Sequence, residues 1–462
     1  MIPLTLAEVA AAAGGRLAGA DPAARVTGTV EFDSRKVAPG GLFVAFPGEK
    51  VDGHDYAEAA VAAGAVAVLA SRPVPVPAVL VDDQLAAMAV LARAVVDRLP
   101  DLTIVGLTGS SGKTTTKDFV AQLLTRLGPT VAPAGSFNNE LGHPYTVLRA
   151  DEKTRFLVLE MGARGPGHIT HLCQVAPPRI GVVINVGVAH IGGFGSVDAI
   201  AAAKGELVEA LPADGVAVLN ADDPRVRAMA SRTTARVLLA GEAPDAEVRA
   251  EDVVMEAGRA AYTLVTPDGR APVRLGVAGR HQVGNTLLAA AVAGTLGLPA
   301  AELGAALSEL RVVSARRMDV FDRADGVTVI DDSYNANPAS MAAALHALAG
   351  TGAGRRTVAV LGYMAELGEY EREGHEKIGR LAAELGVDRL IVVGETAAPI
   401  HAGAVAVATW GGESVLVTDQ GAAVATLRRE LRPGDVVLVK GSRYRTWDVV
   451  DALRSSSDGD GS

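Results

Sequence analysis

The sequence predicts an α/β protein of three domains, and three observations lead there. Its 462 residues are about three times a typical domain length, so several cores are expected rather than one. Short runs of Val, Leu and Ile alternate with helical stretches at 102–107, 156–160, 180–186, 215–220 and 237–240. Such runs read as strands buried on both faces, the environment of a parallel sheet with helical crossovers. A glycine-rich turn at 109–112 joins one of these strands to an amphipathic helix, which is how α/β folds build anion sites.

The bulk composition narrows the class. Apolar residues are 49% and charged residues 21% of the chain, an ordinary folded mixture. Against 43 basic stand 53 acidic residues, a net charge of −10, so no nucleic-acid partner is expected. The single cysteine, Cys173, excludes an internal disulfide and cysteine-based metal spacing, and points to a reducing compartment. Residues 1–15 lack a basic leader and the longest apolar run, 59–70, is shorter than the roughly 18 residues that span a bilayer. A cytoplasmic location without membrane contact is expected.

In chain order, block 1–98 opens with a helix at 6–13 and carries strands at 41–46 and 66–70, ending near Leu99-Pro100-Asp101. Block 99–313 is the parallel sheet. Block 314–454 restarts the pattern at 326–330, 357–362, 389–394, 414–418 and 435–440, as a smaller α/β unit of Rossmann-like alternation. The stretch 455–462, all Ser, Gly and Asp, has nothing to bury and is expected to be disordered. No repeat or low-complexity array is present.

The strongest chemical signal is Gly109-Ser110-Ser111-Gly112-Lys113-Thr114-Thr115 between a strand and a helix bearing Phe119, Val120, Leu123 and Leu124 on one face. Exposed amides suit phosphate, Lys113 adds a point charge, and the Thr114 hydroxyl can ligate magnesium. The strict phosphate-loop pattern wants glycine where Leu107 stands, but the inner Gly-x-x-Gly-Lys-Thr is kept, with Gly109 expected to supply the turn. A phosphate loop implies a metal, and its ligands belong at the carboxyl ends of neighbouring strands. Glu160 and His190 fall there, though each also fits an ordinary strand-end residue. The amide-rich 136–142, with Asn138 and Asn139, belongs nearby. Lys204, in an alanine-rich helix, would ordinarily be a solvated lysine paired with Glu206 or Glu209. Asp33-Ser34-Arg35 and the Gly48, Asp52-Gly53-His54 cluster suit a phosphorylated ligand and equally suit plain loops. Asp331–Pro338 and Lys440–Arg443 follow strands of the last block, where open sheets bind ligands, and Pro338 can also start a helix.

Taken together, these segments resemble the Mur ligase family, the ATP-dependent amide-bond-forming enzymes of bacterial peptidoglycan synthesis, from about residue 4 to residue 453. Asp33-Ser34-Arg35, 108–116, 136–142, Glu160-Met161-Gly162, 185–190, Lys204-Gly205-Glu206, 281–285, Arg317-Met318 and 440–443 resemble parts shared across the family. Segments 332–338 and 361–369 are similar to those of the member that adds a dipeptide, and the Asp-Asn-Pro-Arg signature of the sister that adds the third amino acid is absent.

The resemblance implies a UDP-sugar on the first domain near Ser34, Arg35, Gly48, Asp52, Gly53 and His54, with Asn138, Asn139 and Arg164 toward the peptide. It implies ATP between the second and third domains. The phosphates would lie on Gly109, Ser110, Ser111, Gly112, Lys113, Thr114 and Thr115, and the adenine beside Asn285. Asp332 and Arg317 from the last domain would reach the ribose and γ-phosphate, with Tyr334 and Asn335 also implied at the ATP, and the adjacent Arg316 leaves the choice of arginine open. Two magnesium ions are implied, one on Thr114 and Glu160 and one on His190 and Lys204, with Lys204 carbamylated. Lys113, Lys204, His190 and Arg317 are the implied catalytic residues. The implied activity joins D-alanyl-D-alanine to UDP-N-acetylmuramoyl-tripeptide through an acyl phosphate, in a monomer. The rivals are a ligase adding one amino acid to the sugar nucleotide or glutamate to folate, and a phosphate-loop NTPase switch.

Overall fold

The computed structural model describes residues 1–48, 51–188, 191–442 and 445–455. His190, Glu49, Lys50, Arg443 and the stretch 456–462 lie outside them. Ser455, expected in the tail, is the last residue of the helix Trp447–Ser455.

Three sheets organise the described chain. The first has five strands in the order 16–18, 78–80, 67–70, 42–44 and 30–31, parallel except for its antiparallel edge Arg16–Ala18. A two-stranded ribbon pairs Leu4–Thr5 with Arg25–Val26. The helix Leu6–Ala13 starts at a capping box, with the Thr5 side chain accepting from the Glu8 amide and the Glu8 side chain accepting from the Thr5 amide, which satisfies two otherwise orphaned donors.

The central sheet has nine strands, and Thr103–Thr108 lies between Phe156–Glu160 and Ile180–Val183. From Thr103–Thr108 the chain builds first to one side, through Thr130–Val131 and Phe156–Glu160, and then to the other. The loop after Thr108 therefore sits where the strand order reverses, the position at which parallel sheets open a crevice. The far end departs from the expected all-parallel sheet: Val248–Glu256, Arg259–Thr266 and Gly269–Ala278 extend it as an antiparallel meander. These strands alternate buried and exposed positions and carry charged pairs on the wet face, such as Arg249 to Glu251 at 2.8 Å. A sheet wetted on one face gives no continuous apolar run, so apolar-run reading passes over it.

The third sheet has six strands in the order 319–322, 328–331, 436–440, 357–361, 389–393 and 413–417, parallel except for its edge Asp319–Asp322. Its carboxyl ends deliver Asp331-Asp332, Leu361 and Lys440 to one edge, which faces the loop after Thr108 across a common cavity. No helix among the described residues is long and apolar enough to cross a membrane.

Two helices on the third sheet, Glu371–Glu384 and Ala398–Val405, touch backbone to backbone at Gly379 and Gly403. A Cβ on Gly379 would lie 1.8 Å from the Ile400 carbonyl oxygen, and one on Gly403 2.1 Å from that of Glu376. The first helix carries His375, whose Nε2 accepts from the Met364 amide at 2.8 Å and so seats the loop that brings Ala365 and Glu366 to the cavity. Gly379→Ala is expected to force the helices apart and destabilise this domain by about 1–3 kcal/mol. Calorimetric melting will show a lowered transition for that unit, and an unchanged melt contradicts the packing.

Candidate active site

The cavity encloses about 950 Å³ and is lined by residues of the central and third sheets and their loops, with Phe32 the one lining residue before residue 110. Its floor is the loop after Thr108. Gly109 is not the turn residue it was expected to be: its φ is not positive, and it is glycine because a Cβ would lie 2.9 Å from the Ile184 Cβ. The left-handed residue is Gly112, at φ +78°, where glycine carries no steric cost. Gly112 caps the helix Lys113–Leu124 without a side-chain cap, and the first helical bond runs from the Thr116 amide to the Gly112 carbonyl at 2.8 Å. The amides of Lys113, Thr114 and Thr115 precede that bond, so they remain for an anion. Asn185 holds the loop, its Oδ1 accepting from the Ser110 and Ser111 amides at 3.0 Å each. Lys113 Nζ folds back onto the Gly109 carbonyl at 2.8 Å. Its pKa is lowered by burial and further by Arg317, against the opposing pull of Glu160.

Glu160 ends its strand as a carboxylate only 1% exposed, and both oxygens are engaged. Oε2 accepts from the Thr114 hydroxyl at 2.9 Å. Oε1 accepts from Ser136 Oγ at 2.9 Å and Asn138 Nδ2 at 2.6 Å. Asn138, expected toward the peptide, therefore serves the carboxylate. Among the described residues no three His, Cys, Asp or Glu side chains cluster to hold a metal. A site of one carboxylate, one hydroxyl, phosphate oxygens and water nevertheless suits magnesium, which binds few protein oxygens and keeps its waters. Thr114 and Glu160 offer that pair.

Lys204 lies in the helix Val197–Glu209 and is 4% exposed, so the solvated-lysine reading is corrected. Glu206 accepts instead from the Gly167 amide at 2.6 Å and the Thr170 amide at 3.0 Å, and Glu209 pairs with Arg232 at 2.8 Å. Burial, reinforced by Lys113, brings the Lys204 amine down to about 7.

The opposite wall comes from the third sheet. Arg317 lies over the Tyr334 ring, 4.1 Å from its centroid, and lines the cavity. Arg316 turns away to Asp451 at 2.7 Å and to the Trp447 ring, which resolves which of the two arginines faces inward. Asp332 Oδ1 accepts from the Met318 amide at 3.1 Å, and Oδ2 from Lys440 Nζ at 2.5 Å. Lys440 also donates to the Asn335 carbonyl at 2.9 Å. Asn285 stands against the loop, its Oδ1 2.9 Å from where a Cβ on Gly112 would lie, and its Nδ2 donates to Gln282 Oε1 at 2.9 Å. His281 Nδ1 and Gln282 Nε2 are buried without a hydrogen-bond partner among the described residues.

Asn139 and Arg164 line the cavity, whereas Ser34, Arg35, Gly48, Asp52, Gly53 and His54 do not. Phe32, two residues before Ser34, does, so the 34–36 turn stands beside the rim. Arg35 is 87% exposed at its side chain and paired with Asp33 at 2.9 Å. His54 is 4% exposed. It braces its own fold, with Nδ1 on Asp52 at 2.6 Å and Nε2 accepting from the Ser71 amide at 3.1 Å, so both ring nitrogens are engaged within the domain. Sequence reasoning left Ser136, Asn185 and Lys440 without assigned roles, although their segments were singled out. For Asn185 and Lys440 the signal is position at the end of an expected strand, whereas Ser136 follows the two-residue strand Thr130–Val131, too short to show as an apolar run.

The fold and site define a three-domain phosphate-loop α/β protein whose nucleotide cavity is walled by a second α/β sheet. Residues 26–106 match the Mur ligase family catalytic domain, 107–293 the Mur ligase middle domain and 316–443 the Mur ligase glutamate ligase domain. The chain is 52% identical to the UDP-N-acetylmuramoyl-tripeptide--D-alanyl-D-alanine ligase of Mycobacterium tuberculosis over 98% of each chain. It is 36% identical to the Escherichia coli enzyme of the same name over 99% of each. It superposes on MurF from Acinetobacter baumannii with a TM-score of 0.87 at 29% identity, covering 99% of both chains. Against the MurF ligase from Thermotoga maritima in complex with ADP the TM-score is 0.80 at 31% identity, covering 94% of this chain and 98% of that one. The chain belongs to the Mur ligase family.

The segment flanking the cavity also holds His143, fully buried and with neither ring nitrogen bonded among the described residues. Burial, with a smaller contribution from His171, pushes its pKa from 6.5 to about 3. The unfolded chain therefore binds a proton that the folded chain refuses, and stability falls as the pH drops from about 6.5 toward 3. Denaturant midpoints at about pH 7.5 and pH 5 will fall further in the parent than in His143→Leu. Equal losses contradict the assignment.

Proposed function

We propose that the chain joins D-alanyl-D-alanine to UDP-N-acetylmuramoyl-tripeptide, converting ATP to ADP and phosphate. The observation that carries this reading is a single cavity in which a phosphate loop faces Arg317 and Asp332 from another sheet. The names of the relatives support the substrates, and the ADP complex of the Thermotoga relative supports the nucleotide. The units 1–98, 99–313 and 314–454 act as the sugar-nucleotide, ATP and closing domains of a cytoplasmic monomer.

In the first step an oxygen of the tripeptide's terminal carboxylate bonds to the γ-phosphorus, and the bond from that phosphorus to the β–γ bridging oxygen breaks. ADP leaves with the electron pair and an acyl phosphate remains. In the second step the dipeptide amine bonds to the acyl carbon, loses a proton and expels phosphate. Carboxylate and triphosphate repel, so the site must offset charge before it can align them, and phosphoryl transfer is catalysed mainly by positioning and electrostatics.

The amides of Lys113, Thr114 and Thr115 cradle the phosphates, and Ser110, Ser111 and Gly112 shape the loop. Lys113 and Arg317 neutralise the transferred group. Asn285 lies toward the adenine and Asp332 toward the ribose, with Tyr334 and Asn335 beside them. Ser34 and Arg35 stand on the sugar-nucleotide side, and Asn139 and Arg164 toward the peptide. Thr114 and Glu160 would hold one magnesium, which would supply positive charge at the phosphate oxygens. An amine at about 7 is substantially neutral near neutral pH, the form that adds carbon dioxide, so Lys204 is suited to carbamylation. As a carbamate it would hold a second ion with His190.

The direct test measures ADP release with the UDP-tripeptide, with and without D-alanyl-D-alanine, followed by the product's mass. Ligation requires the dipeptide and gives the pentapeptide mass, whereas full-rate phosphate release without either peptide substrate contradicts it. Lys113→Ala is expected to lower turnover by about 10²–10³, and an unchanged kcat at saturating ATP overturns its role.

A further inference from the structure

Two charges on the phosphate-loop helix lie outside the cavity and take no part in the chemistry above. Lys117 is 1% and Asp118 8% exposed, and Nζ lies 2.6 Å from Oδ1. Desolvation offsets most of the attraction in a buried pair, so such a pair is weak evidence for stability. What else the two side chains hold is more telling.

The other Lys117 ammonium protons reach the Pro133 carbonyl at 2.6 Å and the Gly135 carbonyl at 3.1 Å. Gly135 immediately precedes Ser136, and both Ser136 and Asn138 donate to Glu160 Oε1. Asp118 Oδ2 accepts from the Ser314 amide at 3.2 Å, three residues before Arg317. One turn further along the helix, Gln122 and the Arg311 backbone exchange two bonds, at 3.0 and 3.1 Å. Beyond these sutures Arg316 and Met318 take φ of +62° and +54°, conformations that non-glycine residues keep only where the surroundings impose them.

We propose that Lys117 and Asp118 are positioning residues. Through the loop carbonyls they set Glu160 against Thr114, and through the Ser314 amide they set Arg317 across from the phosphate loop. Both walls of the cavity thereby take their register from one turn of one helix. The proposal rests on the ligase reading for its purpose, but its test needs only nucleotide and metal.

Lys117→Met keeps the length of the stem and removes all three donors. Asp118→Asn keeps the shape, but Lys117 and the Ser314 amide meet different carboxylate oxygens, and an NH2 donor in place of one of them leaves one of the two without its acceptor. In the full chain, binding of a non-hydrolysable ATP analogue is titrated calorimetrically across magnesium concentrations, and ATP turnover is measured beside it. Lys117→Met is expected to raise the magnesium midpoint by about tenfold or more, the usual scale for groups that orient a metal ligand. Asp118→Asn is expected to weaken analogue binding and raise the ATP KM in the same direction by less. If the folded fraction of both variants keeps the parental magnesium midpoint and analogue affinity within about twofold, well below that scale, the pair is structural only and the proposal fails. Should Lys117→Met not fold, the Asp118→Asn titration decides by the same criterion. A parent that binds analogue but forms no dipeptide product refutes the ligase reading and leaves this test intact.

Discussion

Lys113 and Arg317 bring positive charge to a cavity that also holds the buried Lys204 amine, and the Glu160 carboxylate there is already committed to three hydrogen bonds. Arg317 lowers the pKa of Lys113, and Lys113 lowers that of Lys204, each on top of burial. Assembling like charges in a poorly solvated space is unfavourable, and it persists because the surrounding sheets leave these side chains little choice of place. A polyanion with its metal relieves the repulsion, and unpaired amides at the helix start add donors that need no reorganisation. The rest of the architecture follows from this constraint.

The cations come from two sheets because a single carboxyl edge delivers only a few strand ends to one point. The central sheet supplies the loop after Thr108 and the carboxylate at the end of the strand Phe156–Glu160, with Asn185 tying the loop to the neighbouring strand. The third sheet supplies Asp332 and Lys440, locked to each other, and the strained corner that turns Arg317 inward while Arg316 is retained by Asp451. In Asp332, one oxygen restrains that corner through the Met318 amide and the other is held by Lys440. The same side chain thus fixes the geometry of the arginine and presents an edge to the cavity.

Much of this was legible before the fold was known, because it is written in local signals. The strand, glycine turn and helix around Lys113 carry their own periodicity, and Glu160 is marked by ending an apolar run. What was not legible depends on partners distant in sequence. Gly109 looks like the turn residue, but Ile184, just past the neighbouring strand Ile180–Val183, is what excludes a side chain there. Lys204 in an alanine-rich helix reads as solvated until the neighbouring strands bury it. His54 resembled a ligand contact because polar residues beside glycine turns suit ligands, yet its partners are Asp52 and the Ser71 amide. The meander 248–278 was missed for a different reason, since a sheet with one wet face has half the apolar signal of a buried strand.

The central claim is that one nucleotide is held from both sheets at once. Hydrogen exchange of the full chain, with and without magnesium and a non-hydrolysable ATP analogue, tests it most directly. The expected result is slowed exchange in 109–116 together with 331–337. Slowing confined to the central sheet, with 331–337 unchanged at saturating analogue, would contradict it.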